Sequence, residues 1–564
     1  MSTLARRLAV ARGDEPADVV IRNGRVLSVF TREWLEGDLA LADGVIAGIG
    51  SYEGRETIDA GGGYLVPGFI DAHMHFESVK LLPDEFARLV LPQGTTCIVA
   101  DPHEIANVLG LDGVVWLMDA CRDLPLECYF MASSSVPASP LESPGHAFSG
   151  DDLAALLAHP QVLGLAEMMN FPGVVAGDPR ELSKLGLVRH GHVDGHAPGV
   201  LGKDLNAYAA AGIDSDHEAV TYMEGLQRLR AGLWLLIREA SPARNLEALV
   251  PLLREFGPSR IAFCSDDRDP EDTAANGHIN GMVRKAVALG VAAEDALVAA
   301  TASAARCHRL HHLGALAPGY QADVVVLPDL VQFEPSLVLK RGRPVGEIAR
   351  GEVPTWTRES MRIGELGPDA FTAECEGGMI RVIGLVPDQI VTESLVEQPT
   401  VQHGRAMADP DRDLAKIAVV ERHHASGRSA VGFVRGAGLT RGALASSIAH
   451  DAHNVVALGM DDDDLRAAVE RVVEIGGGLV VVDGGAVTAE CPLPVAGLLS
   501  DAPLAEVIER SRHCDEEAMR LGWSGGSPFL TLSFLALSVI PSLKITDQGL
   551  VDVEGGRIVS LQAG

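Results

Sequence analysis

Aromatic residues are scarce in this chain of 564 residues: 5 Trp, 6 Tyr and 14 Phe make 4% of it. Its cores must therefore be filled mostly by Ala, Leu, Val and Gly. Basic residues are also in deficit. Lys and Arg number 46 against 77 Asp and Glu, a formal net charge of −31. A surface that negative repels phosphate backbones and anionic lipid headgroups, so neither nucleic acid nor a membrane is an expected partner. A neutral or cationic small molecule fits better. Cysteine is limited to eight scattered residues with no Cys-x-x-Cys pair. That pattern suggests reduced, buried thiols and a cytoplasmic setting. Long apolar runs are lacking. Met1 to Gly13 holds Arg6 and Arg7 but no apolar core of signal-peptide length. The most apolar window, Phe529 to Ile540, is too short to span a bilayer and reads as a buried element.

What is present has a clear order. A length of 564 residues suggests two to four domains. Residues 18–49 alternate short β-rich runs with Asn23-Gly24 and Asp43-Gly44, pairs that predict hairpins. From Pro67 to about residue 305, apolar strands alternate with helical stretches. Strand candidates are Gly68–His75, Thr95–Asp101, Glu127–Ser133, Val162–Glu167, His192–His196, Gly212–His217, Leu233–Arg238 and Arg260–Asp266. Eight strands with helical crossovers predict an α/β fold, a (β/α)8 TIM-like barrel, with a doubly wound open sheet as the alternative. The turn and β-run from Leu316 to Leu327 predict a return to the opening module. The expected division is a discontinuous small β-sandwich module (1–66 and 316–365), a barrel (67–315) and an additional α+β C-terminal domain (370–564). Within the last, Asp461 to Asp464 precede a helical run and are expected to cap it.

The chemistry sits at strand ends. His73 and His75 are two residues apart, so a strand turns both to one face about 6.5 Å apart, within reach of one cation. Alone the pair is weak, since 19 His in 564 residues give roughly 0.6 such pairs by chance. The other strand ends change the odds. They read Asp101-Pro102-His103-Glu104, Glu167, His196, His217 and Asp266-Asp267, with Arg238-Glu239 closing the seventh. In a barrel, the C-terminal ends of several strands converge on one site. His nitrogens and carboxylate oxygens gathered there suit Fe(II), Mn(II) or Zn(II).

These motifs resemble the amidohydrolase superfamily and, within it, the adenine deaminase family. The resemblance rests on Pro67–Ser78 with its His-x-His and on the run Asp101-Pro102-His103-Glu104. It rests further on Val193–Gly199 with Ser215–Glu218, on Phe263–Arg268 through Asn280, and on Lys416–His423 and Ala449–Asn454 towards the C-terminus. It implies a purine base as substrate, hydrolytic deamination of adenine in purine salvage, and a homo-oligomer, dimer or higher. It also implies two divalent ions, Mn2+ or Fe2+ with Zn2+ an alternative. His73, His75 and Asp266 would hold one ion and His196 and His217 the other. Glu167 would bridge them where related enzymes use a carboxylated Lys. Asp266 would act as the catalytic base and then acid, with Glu77, on the same strand face if that strand continues, binding substrate or relaying a proton. Ser78, Asp101, His103 and Glu104 would contact the purine. The chain departs from the family pattern at Val79 and Lys80, where a small polar residue and a Met are usual, and at Asp269, where a His is common.

Three other readings compete. Ring-amide hydrolases share the barrel but usually need the bridging Lys. A deaminase of a different aminopurine or aminopyrimidine would carry the same ligands. A non-catalytic protein on this fold would have no chemical reason to hold six intact ligands.

Overall fold

The structure is a computed structural model that describes residues 3–387 and 389–563. Its centre is eight short parallel strands in two sheets. In chain order they are β1 (Phe69–Met74), β2 (Thr95–Ala100), β3 (Glu127–Ala132), β4 (Val162–Met168), β5 (His192–Gly195), β6 (Ser215–Asp216), β7 (Trp234–Arg238) and β8 (Ile261–Cys264). One sheet runs β5-β4-β3-β2-β1 and the other β6-β7-β8. Most of these strands are buried along their whole length, as expected when helices cover a parallel sheet. The two sheets meet at both edges. Asp214 N–H donates to the Val193 carbonyl at 2.8 Å, and Asp266 N–H donates to the His73 carbonyl at 3.0 Å. Close approach sets one residue type here: a Cβ on Gly164 would lie 1.7 Å from the His192 carbonyl oxygen.

The N-terminal strands form two further sheets. Ala17–Arg22 lies between Asp38–Ala42 and Gly54–Asp59, whereas Arg25–Ser28 lies between Glu33–Glu36 and Tyr64–Pro67. Asn23-Gly24 therefore makes no hairpin, contrary to the sequence expectation: its flanking strands belong to different sheets. Val19 and Ile21 on one side and Val26 on the other fill one shared core, which rewards a corner over a local pairing. Asp43-Gly44 does close a hairpin, with Ala42 opposite Val45. Val324–Leu327 pairs antiparallel with Tyr64–Pro67, so the later segment rejoins the earlier one.

Beyond residue 378 a largely antiparallel sheet is built on Met379–Leu385, Leu414–Val420, Ser429–Arg435, Ala443–Ser446, Val455–Gly459 and Gly478–Asp483. The helix Asp462–Glu474 packs on it. Asp461 caps that helix, its Oδ1 accepting from Asp463 N–H at 2.9 Å and Asp464 N–H at 3.2 Å. The apolar window ahead of Pro541 holds a short buried helix, Pro528–Phe534. Among the described residues, no helix is long and apolar enough to cross a membrane.

Candidate metal centre and active site

The C-terminal ends of these strands bring His73, His75, Glu167, His196, His217 and Asp266 into one buried cluster. Glu167 stands at its centre with its two oxygens divided. Oε1 lies 3.3 Å from His73 Nε2 and 3.2 Å from His75 Nε2. Oε2 lies 2.7 Å from His196 Nδ1 and 3.4 Å from His217 Nε2. Asp266 joins the first group, its Oδ1 3.4 Å from His73 Nε2 and 3.2 Å from His75 Nε2.

The tautomers decide what this cluster can hold. His73 Nδ1 faces Asp194 Oδ2 at 2.9 Å, and His75 Nδ1 faces the Asp101 carbonyl at 3.1 Å. Both partners accept hydrogen bonds, so each neutral ring carries its proton on Nδ1. The two Nε2 lone pairs then confront each other at 3.1 Å, beside two carboxylate oxygens. Without a positive charge between them, four electron-rich atoms at this spacing repel. Ligand bonds of about 2.0–2.2 Å put tetrahedral donors roughly 3.4 Å apart, close to the observed spacings. The donor set fits a divalent ion held by His and carboxylate, and the outward contacts of the rings are those that orient metal-bound histidines.

Burial alone would lower the His73 pKa, but the Asp194 carboxylate and its neighbours hold it well above the usual imidazole value. His75 is raised likewise against burial by Asp266 and Glu167. Burial would raise Glu167, and the surrounding imidazoles, His217 first, hold it well below the usual carboxylate range. Burial would raise Asp266 too, and the Arg238 guanidinium leads the groups that hold it far down.

Asp266 has left-handed backbone, with φ of 55°. Asp tolerates that region better than most residues, and the hydrogen bond to the His73 carbonyl holds it there. Its Oδ2 accepts from Arg238 Nη1 at 2.9 Å, and Arg238 Nη2 also donates to Glu218 Oε2 at 3.0 Å. Glu218 Oε1 in turn stands 3.5 Å from both His196 Nδ1 and His217 Nε2. Asp194, Glu218 and Arg238 were given no role from the sequence, although Arg238 was read as closing the seventh strand. Their signal was position alone, since each lies at or next to the end of a strand.

The other expected residues are placed as follows. The strand ends at Met74, and Phe76–Val79 is a helical turn with His75 as its N-cap, so Glu77 does not continue the strand face. Its Oε1 accepts from Ile105 N–H at 2.8 Å, and burial with the Glu104 charge pushes its pKa up to about 8. Ser78 donates to Asp267. Asp101 accepts from Ser133 Oγ at 2.9 Å and faces His103 Nδ1 at 3.1 Å. His103 Nε2 reaches Asp451 Oδ1 at 3.3 Å, and Glu104 Oε1 lies 2.6 Å from His450 Nδ1. A narrow cleft opens over the cluster. Strand-end residues such as His75, His103, Glu167 and Asp266 floor it, and Ile390, His450, Asp451 and Phe534 wall it from the C-terminal region. The two departures from the family pattern meet one another: buried Lys80 is paired with Asp269.

A family model described as the amidohydrolase family matches residues 64–345. That stretch supplies all six donors, and amidohydrolase is the class that the parallel strands and their His- and carboxylate-lined ends define. A second, described as the adenine deaminase C-terminal domain, matches residues 389–557. An adenine deaminase of Archaeoglobus fulgidus is 47% identical over 99% of this chain and 98% of its own length. One of Desulfatibacillum aliphaticivorans is 44% identical over 98% and 99%. The chain belongs to the adenine deaminase family. A solved structure described as an adenine deaminase overlaps 59% of the chain at 16% identity, with a TM-score of 0.44.

Proposed function

We propose that this protein hydrolyses adenine to hypoxanthine and ammonia in purine salvage, using two divalent ions. The carrying observation is the divided Glu167 carboxylate, with His73, His75 and Asp266 on one oxygen and His196 and His217 on the other. On this reading β1 to β8 close as one (β/α)8 barrel, flanked by a discontinuous β-sandwich module and an α+β C-terminal domain. Mn2+ or Fe2+ suits a donor set without sulfur. The eight free, buried thiols support a reducing, cytoplasmic setting.

Bound ions would supply a water whose pKa is lowered from 15.7 to about 7, a nucleophile at neutral pH. Asp266, with Arg238 holding one oxygen, would accept a proton as that water adds to C6. It would return the proton to the departing amine, acting as base and then acid. The ring nitrogen next to C6 needs a proton as it gains electron density. Glu77, pushed up to about 8, keeps one at neutral pH. His103, Asp101 and Ser78 would hold or orient the base at the rim. Wild-type protein is expected to contain two ions and to release ammonia from adenine. Asp266→Asn should stay folded and lose about 10²–10⁴-fold in turnover. Ammonia release near the wild-type rate from that variant would remove Asp266 from the mechanism. A metal-replete wild type inert on adenine would point to a related aminopurine or aminopyrimidine instead.

A further inference from the structure

A second group of metal-type donors lies apart from the cleft. His192 opens β5, at the opposite end of that strand from His196, while Cys307 and His308 end the short helix Ala304–Cys307 and its cap. Each offers a donor atom within 4.8 Å of the others, and none is more than 2% exposed. The rings lie 4.6 Å apart.

Hydrogen bonds fix both tautomers. His308 Nε2 is 2.7 Å from the Ala72 carbonyl, which only accepts, so Nε2 carries the proton. His192 Nε2 is 2.8 Å from Ser215 Oγ, and the single Ser215 hydroxyl proton goes to Asp194. His192 must therefore also donate through Nε2. Both Nδ1 atoms then bear lone pairs and are buried with no well-aligned hydrogen-bond partner, the Cys307 backbone carbonyl being close to the His192 ring. Burial keeps the two rings neutral, lowering His192 to about 4 and His308 to about 3. The Cys307 thiol has one proton and can satisfy at most one of these lone pairs. A cation in place of that proton satisfies all three atoms at once.

We propose that His192 Nδ1, His308 Nδ1 and Cys307 Sγ bind one zinc-type ion, separate from the catalytic pair. One thiolate with two imidazoles is a softer set than the N/O centre and favours Zn2+ over Mn2+ or Fe2+. Binding displaces the thiol proton to solvent. Asp214 Oδ2, 3.9 Å from His192 Nδ1, stands where a fourth donor or its water would be needed. The site is joined to the catalytic centre through Ser215 and Asp194, whose other oxygen holds His73.

The test is a Co2+ titration of the full-length protein after metal removal, followed by absorption spectroscopy. The six donors of the cleft include no thiol, so a sulfur-to-cobalt charge-transfer band cannot come from the cleft, and its loss in Cys307→Ser assigns it to this site and not to the other seven cysteines. The expected result is such a band saturating at one ion per chain in wild type. It should be absent from Cys307→Ser and weakened in His308→Gln, and Cys307→Ser should hold one ion fewer by elemental analysis. Wild type without the band, or a band that survives in Cys307→Ser, overturns the proposal. If Cys307→Ser fails to fold, His308→Gln carries the test, and a band of full strength in that variant overturns the proposal.

Discussion

Glu167 serves two sets of neighbours with one side chain. Its two equivalent anionic oxygens each face a pair of imidazoles, His73 and His75 on one and His196 and His217 on the other. Gln has the same shape but presents one oxygen and one NH2 group, which must face one group of donors with hydrogen atoms. If the proposed two ions are held, Glu167→Gln is expected to retain one of them, by elemental analysis of purified protein. A second residue carries a pH dependence. Glu142 is buried with one oxygen 3.1 Å from Ser538 Oγ, and burial followed by the Asp451 charge pushes its pKa up to about 8. A carboxyl raised in the folded state binds more protons there than when unfolded, so its ionisation opposes folding. Its contribution is favourable below about pH 4.5 and is lost as pH rises to about 8. Glu142→Gln should therefore flatten this fall and stabilise the protein at pH 8 by on the order of a few kcal/mol, read from urea denaturation at pH 5 and pH 8. A variant less stable than wild type at pH 8 would rule this out.

At the scale of elements, the site depends on how strand ends are tied to helices. Arg228, on the helix Tyr222–Arg230, is fully buried. Its Nε donates to Asp216 Oδ2 at 2.9 Å, Nη1 to the Val200 carbonyl at 2.7 Å and Nη2 to the Ala197 carbonyl at 2.6 Å. It thereby clamps the chain just after His196 and just before His217. Arg228→Leu removes the clamp and leaves Asp216 charged and buried, which typically costs about 3–5 kcal/mol. The expected outcome is that loss in denaturation together with weaker binding of one ion of the two. Unchanged affinity for both ions would show that the strands hold their ends without it. The same scale shows why some local expectations failed. Asn23-Gly24 has the composition of a hairpin turn, yet its strands are parted by the core they share. His75 and Glu77 fit a strand pattern, but the chain enters a helical turn at Phe76, and Glu77 leaves the face that carries His73. Strand existence was legible because an apolar run ending in His or carboxylate is a local feature. Which neighbour a strand pairs with is not.

At the scale of the whole molecule, the cleft belongs to regions far apart in sequence. Donors come from residues 73 to 266, and the facing wall comes from Ile390, His450, Asp451, Phe534 and Leu537. Phe534 lies 4.6 Å from the His450 ring at 15°, a stacked pair that closes the apolar side. Phe534→Ala is expected to raise KM for adenine about tenfold, equivalent to roughly 1.4 kcal/mol, with kcat changed less. An unaltered KM in steady-state assays would place the substrate elsewhere in the cleft. The net charge of −31 attracts divalent cations.

Sequence alone sufficed for the alternation of apolar strands and helices and for naming the six side chains that the structure brings together at the strand ends, because each is written in local spacing and residue type. The pairing of Lys80 with Asp269, the place of Arg238 between Asp266 and Glu218, and the approach of His450 to Glu104 came only from the tertiary structure. Those contacts join residues 20 to more than 300 positions apart, and no local pattern encodes which distant charge will fill a given buried vacancy.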